Sequence, residues 1–135
     1  MKALIKKLTP TFILSWYHFA MAHLGAIRYG FPSRKMIVIG ITGTKGKTST
    51  AYFVWNVLQH AGIKTGMLTT AAIKIGDTDI VNTMHMTMPG RFFIQKHLRM
   101  MADAKCEVAI VETTSQGIAQ HRHRGIAYDI AVFTN

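Results

Sequence analysis

Two rhythms of apolar residues alternate from Met36 to the end of the chain. Met36-Ile37-Val38-Ile39-Gly40-Ile41 is a short continuous run, the pattern of a strand covered on both faces. Ala51, Val54, Trp55, Leu58 and Ala61 then fall at helical spacing, one face of a helix laid on a sheet, so Trp55 reads as core. Gly62 stops that helix. Lys64–Thr70 reads as a second strand. Ala71–Val81 reads as a hairpin around Gly76-Asp77, with Ile73, Ile75 and Ile80 as its apolar positions. Asn82–Pro89 is a loop whose Met84, Met86 and Met88 suit adaptable packing. Gly90–Ala104 is helical, with Phe93, His97, Met100 and Met101 near one face. Glu107–Glu112 is an apolar run between two acids, the mark of a buried parallel strand. Ser115–His123 is a short helix or turn, and Tyr128–Phe133 a further buried strand. Strands alternating with helices predict an α/β fold: a three-layer, mostly parallel sheet with flanking helices.

The junction of the first strand and first helix carries the chemistry. Thr42-Gly43-Thr44-Lys45-Gly46-Lys47-Thr48 is a glycine turn, and Ser49–Ala61 continues as a helix. A strand, a glycine turn and a helix form an anion cradle, because backbone N–H groups of the turn and of the helix start point at one place. Lys47 is placed to reach the outer phosphates of a nucleotide, and the Thr48 hydroxyl to hold Mg²⁺. The general phosphate-loop pattern wants glycine five residues before Gly46, where this chain has Ile41, so the turn is a shortened form. A purely structural glycine turn is the alternative.

In open α/β sheets ligands bind at the carboxyl ends of strands. Glu112-Thr113-Thr114-Ser115-Gln116-Gly117 stands at such an end. There Glu112 suits a second Mg²⁺ anchor, or caps the following helix. In the loop Thr83–Gly90, Thr87 is a candidate substrate contact. His121-Arg122-His123-Arg124 is either a solvated basic turn or a clamp for an anionic substrate, with Arg122 able to bind carboxylate or phosphate through two parallel bonds. It lacks the company and spacing of a zinc site.

Charge narrows the partners. Sixteen Lys and Arg against six Asp and Glu favour anionic ligands among nucleotides, nucleic acids and acidic lipids. Aromatic residues are not interleaved with the basic ones, which disfavours nucleic acid. The single cysteine, Cys106, permits no internal disulfide and suits a reducing cytoplasm. Residues 1–34 are set apart as a hydrophobic and basic N-terminal helix with its linker. Leu8–Ile27 carries no charge and lies between Lys2, Lys6 and Lys7 on one side and Arg28, Arg34 and Lys35 on the other. Packing against the domain is the first expectation, and contact with a membrane surface through residues 8–28 the second. A span is the third, borderline because His18 and His23 interrupt it. Ala20-Met21-Ala22 imitates a signal-peptide cleavage site, but export of a nucleotide loop makes little sense.

Three separated segments resemble one family. Ile41–Thr50 resembles the ATP loop of the Mur ligases. Glu112-Thr113-Thr114-Ser115-Gln116-Gly117-Ile118, then Gln120-His121-Arg122, Gly125 and Tyr128–Asn135, resemble the MurE type, the UDP-N-acetylmuramyl-tripeptide synthetases. Relative to that type, Thr114 replaces Ser, Gln116 replaces His, and Met88 stands where a second Thr is usual. The resemblance covers about residues 35–135, part of the family's central ATP-binding domain. It implies an ATP-dependent ligase of peptidoglycan precursor synthesis, which joins an amino acid to a UDP-MurNAc-peptide through an acyl phosphate. Carried across, Gly43, Thr44, Lys45, Gly46, Lys47, Thr48 and Ser49 would cradle ATP. Lys47 and Glu112 would be the catalytic pair, and Thr48 and Glu112 would hold Mg²⁺. Thr87, Thr114, Gln120 and Arg122 would contact the muramyl-peptide. The resemblance also implies a uridine-nucleotide domain before the loop, which about 35 residues cannot build, and further segments after Asn135. A fragment or truncated reading frame is therefore expected, with an open sheet edge, weak nucleotide binding and no ligation by itself. It is expected in the cytoplasm, with a peripheral place at the inner face of the membrane if residues 8–28 touch lipid. The alternatives are a related ligase with a glutamate or lipid-linked substrate, and a non-catalytic membrane-associated nucleotide-binding module.

Overall fold

A computed structural model describes residues 11–82 and 86–135. Lys2, Lys6, Lys7, Leu8, Thr83 and Met84 lie outside them. The elements in order are α1 (Thr11–Arg28), a 3₁₀ turn (Pro32–Lys35), β1 (Ile37–Gly43), α2 (Lys47–His60), β2 (Thr65–Leu68), β3 (Ile73–Ile75), β4 (Thr78–Ile80), α3 (Arg91–Asp103), β5 (Val108–Glu112), α4 (Ser115–Ala119) and β6 (Ile130–Thr134).

The six strands form one sheet in the order β4-β3-β2-β5-β1-β6. β2, β5, β1 and β6 run parallel, whereas β3 and β4 form the antiparallel hairpin expected around Gly76-Asp77. Side chains alternate across the pleat, so each continuous apolar run supplies both faces. Ile39, Ile41, Val108, Ile110 and Met67 pack beneath α2 with Ala51, Val54, Trp55 and Leu58. Val38, Ala109, Val111, Leu68 and Ile73 pack against Ile94, Leu98 and Met101 of α3. This is the expected three-layer arrangement. Trp55 belongs to the core, its indole N–H donating to the Thr65 carbonyl at 3.1 Å.

Four expectations need correction. Ala61 is exposed, because α2 ends at His60. The core face of α3 is Ile94, Leu98 and Met101 with Gln95 and His97, while Met100 turns outward and Phe93 sits at the margin. At about 100° per residue, positions 94, 98 and 101 share a stripe whose edge 93 and 100 mark. β6 is not buried: Ile130 is 49% and Phe133 81% exposed. It pairs on one side with β1, and among the described residues nothing pairs its other edge. A membrane span is likewise excluded for the described helices, none of which is long and apolar enough to cross. α1 packs on the domain instead. Its Ala22, Gly25 and Ala26 are buried, with Gly25 against Arg91 and Gln95 of α3 and Ala22 and Ala26 against Gly125.

The topology creates the site. From β1 the chain leaves through α2 over one face of the sheet and returns as β2. From adjacent β5 it leaves through α4 and residues 120–128, which pack toward the α3 face, and returns as β6 beyond β1. The two connections diverge, and the carboxyl ends of β1 and β5 open between them.

Candidate functional site

The β1 end is held from beneath by the end of β6. Thr134 Oγ1 donates to the carbonyls of Thr42 at 3.2 Å and Lys45 at 2.7 Å, and the Lys45 N–H donates to the Asn135 carbonyl at 2.7 Å. Gly43 has φ 140°, and a Cβ there would stand 2.0 Å from the Thr134 carbonyl oxygen, so only glycine fits. Gly46, at φ 81°, turns the chain into α2 and serves as its N-cap. Thr44, Lys45, Gly46 and Ser49 face solvent. Lys47 folds back over the turn, donating to the carbonyls of Gly43 at 2.9 Å and Thr44 at 3.3 Å. The loop therefore brings an ammonium group and a helix start to one point.

At the second residue of α2, Thr48 meets the β5 end. Its hydroxyl donates to Glu112 Oε2 at 2.9 Å. The same oxygen accepts the Thr70 N–H at 3.1 Å and faces the Thr70 hydroxyl at 3.4 Å. The Thr70 and Thr87 hydroxyls are in turn bonded to each other. Glu112 is buried, 3% exposed. The two ion pairs found among the described residues, Lys74–Asp79 and Arg99–Asp103, leave it out. A buried carboxylate bonded to neutral donors alone is a costly arrangement that a cation would relieve. Thr48 and Glu112 together present hard oxygen ligands beside a phosphate cradle, the donor set Mg²⁺ takes when phosphates complete its shell. Capping by Glu112 is ruled out as its main role, because Thr114 caps α4: its Oγ1 accepts the Gly117 N–H at 3.0 Å.

Across a cavity of about 710 Å³ stand the other candidates. Gly43, Thr44, Lys47, Thr87, Thr114 and Arg122 line it together, whereas Thr48 and Glu112 lie outside its lining. Gln120 does not line it. Its side-chain oxygen accepts from Arg122 Nη2 at 2.7 Å and its carbonyl from Arg91 Nη2 at 2.7 Å, so it positions two guanidinium groups. Arg122 Nη1 also donates to the Met88 carbonyl. Burial first, and the nearby Arg122 charge second, lower the pKa of Arg91, and Arg91 Nε has no partner among the described residues. Of the two guanidinium groups that meet at Gln120, Arg122 lines the cavity and Arg91 does not. Below, the Tyr128 hydroxyl meets Thr113 Oγ1 at 3.1 Å, and burial pushes that phenol up to about 12.

The sequence pattern does not single out Thr70, Arg91 or Thr134 as site residues. Thr70 had a usable signal, a hydroxyl residue at the carboxyl end of the strand predicted over Lys64–Thr70. Arg91 and Thr134 had none, since their partners are main-chain groups distant in sequence.

A model of the Mur ligase middle domain matches residues 41–135. The chain belongs to the Mur ligase family. It is 41% identical over 118 residues to the UDP-N-acetylmuramyl-tripeptide synthetase of Roseiflexus sp. (strain RS-1), covering 86% of this chain and 23% of that protein. The Treponema pallidum (strain Nichols) protein of the same description is 36% identical over 118 residues, covering 86% of this chain and 22% of its own length. The UDP-N-acetylmuramoyl-L-alanyl-D-glutamate--2,6-diaminopimelate ligase of Bacillus velezensis is 39% identical over 126 residues, 93% of this chain and 25% of that one. A solved structure with that ligase description superposes with TM-score 0.65 at 23% identity, over 74% of this chain and 20% of the other, a likeness of fold. The chain thus spans about a quarter of the length of the curated relatives it matches. The Mur ligase match takes in the loop, Glu112 and the Arg122 turn together.

Proposed function

We propose that this chain is the nucleotide-binding part of an ATP-dependent, amide-forming ligase of peptidoglycan precursor synthesis, and that it acts in the cytoplasm on a UDP-MurNAc-peptide. Residues 35–135 would be part of the central domain and residues 1–34 a helix and linker attached to it. The observation that carries this reading is the meeting of Lys47, Thr48 and Glu112 at the ends of β1 and β5, with Arg122 across the cavity. The names of the relatives support the substrate class.

The reaction has two transfers. A substrate carboxylate oxygen takes the γ-phosphoryl group of ATP, giving an acyl phosphate and ADP. An amine then attacks the acyl carbon, phosphate leaves, and the amine proton passes to base. Carboxylate and triphosphate repel, so the protein's work is neutralisation and alignment. Lys47 leaves its two loop carbonyls to meet the transferring phosphoryl group. The N–H groups at Gly46–Ser49 hold the phosphates. Thr48 and Glu112 would hold Mg²⁺, which supplies charge neutralisation between phosphate oxygens. Arg122, steadied by Gln120 and the Met88 carbonyl, would hold the precursor's anionic end beside Thr87 and Thr114.

Calorimetry of ATP with Mg²⁺, on this chain and on Lys47→Ala, is the first test. Mg²⁺-dependent heat that disappears in the variant is expected, and equal heats from both proteins would refute the loop's role. Phosphate release by a longer protein containing this segment, with a soluble UDP-MurNAc-dipeptide, tests the substrate. No turnover there would exclude the uridine-linked precursor.

A further inference from the structure

Helix α1 is packed inside out. Its inner face is made of the smallest residues, Ala22, Gly25 and Ala26, all buried. Its largest apolar side chains point away from the domain: Phe12 is 72%, Trp16 73%, Leu24 52% and Ile27 60% exposed. With Ile13 and Tyr17 these fall in one sector about 140° wide, at about 100° per residue, which His23 shares and whose margin Arg28 marks. The outward faces of α2 and α3 mix apolar with polar residues, Phe53 and Val57 with Asn56 and His60 on one, Phe92 and Met100 with Lys96 and Asp103 on the other, whereas the α1 sector is apolar along its length apart from His23. From Thr11 to Ile27 there is no charged residue at all.

We infer that the outer face of α1 docks on an anionic lipid bilayer, with the helix lying in the headgroup plane. Charge selects this occupant. The chain carries a formal net charge of +10, Arg28, Arg34 and Lys35 follow the apolar sector, and Lys2, Lys6 and Lys7 precede it in sequence. Two such chains repel each other, which opposes covering the face with a second copy. An anionic surface attracts both flanks while the aromatic and aliphatic sector enters the acyl boundary. Trp16 and Tyr17, apolar rings with a polar handle, suit that boundary.

The docked helix is tied to the substrate side of the site. Ser15 Oγ and His121 Nε2 are hydrogen-bonded at 2.8 Å, and the Phe19 ring meets His121 edge-on at 6.4 Å. Arg124 lies 5.9 Å over the same Phe19 ring, and a Cβ at Gly125 would stand 2.9 Å from Ala26 Cβ. The turn that presents Arg122 is thereby clamped to the membrane-facing element.

The test uses the whole chain with Trp55→Phe, which leaves Trp16 as the one tryptophan. The probes are vesicles of phosphatidylcholine alone, of a phosphatidylcholine–phosphatidylglycerol mixture, and of that mixture with brominated acyl chains. Trp16 emission is expected to shift to the blue and to be quenched by the brominated lipid. Partition should be about tenfold or more tighter on the mixture than on phosphatidylcholine alone. Ile13→Gln with Leu24→Gln should weaken partition about tenfold while leaving the circular dichroism unchanged, since both side chains face outward. Flotation of the unsubstituted chain, with and without that pair, gives the same comparison without touching Trp55. No vesicle binding would overturn the proposal, as would binding without Trp16 quenching. A lipid-free dimer that buries Trp16 would overturn it in favour of self-association. Nucleotide binding is read separately on the same protein, so failure of the phosphate-loop reading is distinguishable.

Discussion

Glu112→Gln should raise the stability of the ligand-free protein and abolish its preference for Mg²⁺. The substitution keeps the shape and an acceptor for Thr48 and Thr70 but removes one charge. In the free protein that charge is 3% exposed and meets neutral donors. Removing it relieves desolvation, so the melting temperature should hold or rise, a gain of about 1 kcal/mol. With Mg²⁺ the sign reverses. An ion held by the Thr48 hydroxyl and the carboxylate, whose oxygens lie 2.9 Å apart, would be in ligand contact with Glu112. Two unit charges against one attract by about 7 kcal/mol even at about 4–5 Å and an effective dielectric of about 20, and by more at contact. Desolvation of the ion and carboxylate returns much of this, leaving about 2–4 kcal/mol, or roughly 30- to 1000-fold in Mg²⁺-dependent affinity. Calorimetric titration with ATP in Mg²⁺ and in EDTA measures the ratio, and a thermal melt measures the free protein. ATP binding in EDTA should be unchanged or slightly tighter. A variant that keeps the wild-type ratio would refute Glu112 as a metal anchor. A variant that loses several degrees would refute the buried-charge argument.

Gly43→Ala should cost about 3 kcal/mol and weaken nucleotide binding, because the new methyl group meets the Thr134 carbonyl; a urea melt beside a nucleotide titration reads both. Met101→Ala, at a fully buried position under β2, should cost about 2–5 kcal/mol by chemical denaturation. Burial lowers the pKa of His97 and His123, so the unfolded chain takes up those protons first as pH falls. Their contribution should be fully present above about pH 6.5 and be lost progressively as pH falls below it, and His97→Gln should flatten the profile of urea midpoints. Burial also raises the pKa of the Cys106 thiol, so a disulfide reagent should label it at neutral pH only after denaturant is added.

Much of the site was legible because its parts are local in sequence. Strand, glycine turn and helix from Met36 to His60 are contiguous, and the turn delivers Lys47 and the start of α2 to one point. Glu112 was legible for a similar reason, since an acid closing a buried apolar run must stand at the end of a strand. Patterning also gave the hairpin, the two helices on opposite faces and the parallel sheet, because hydrophobic period follows backbone geometry. It did not give the exposure of β6, whose residues are as apolar as those of β1. A strand's burial depends on what lies beside it, which its own sequence does not state.

The division is clearest at three residues. Lys47 could be placed at the strand–helix turn from its neighbours in sequence alone. Gln120 could not: it was read as a ligand, yet its side-chain oxygen accepts from Arg122, two residues on, and its carbonyl from Arg91, a contact between segments far apart in sequence. Trp16 is the third. The sequence showed an uncharged aromatic segment and left packing, surface contact and spanning open. Only the tertiary structure decided that the small residues of α1 face the domain and the large ones face away. The inward face must pass close to α3 and Gly125, and there Ala22, Gly25 and Ala26 fit where a ring would not.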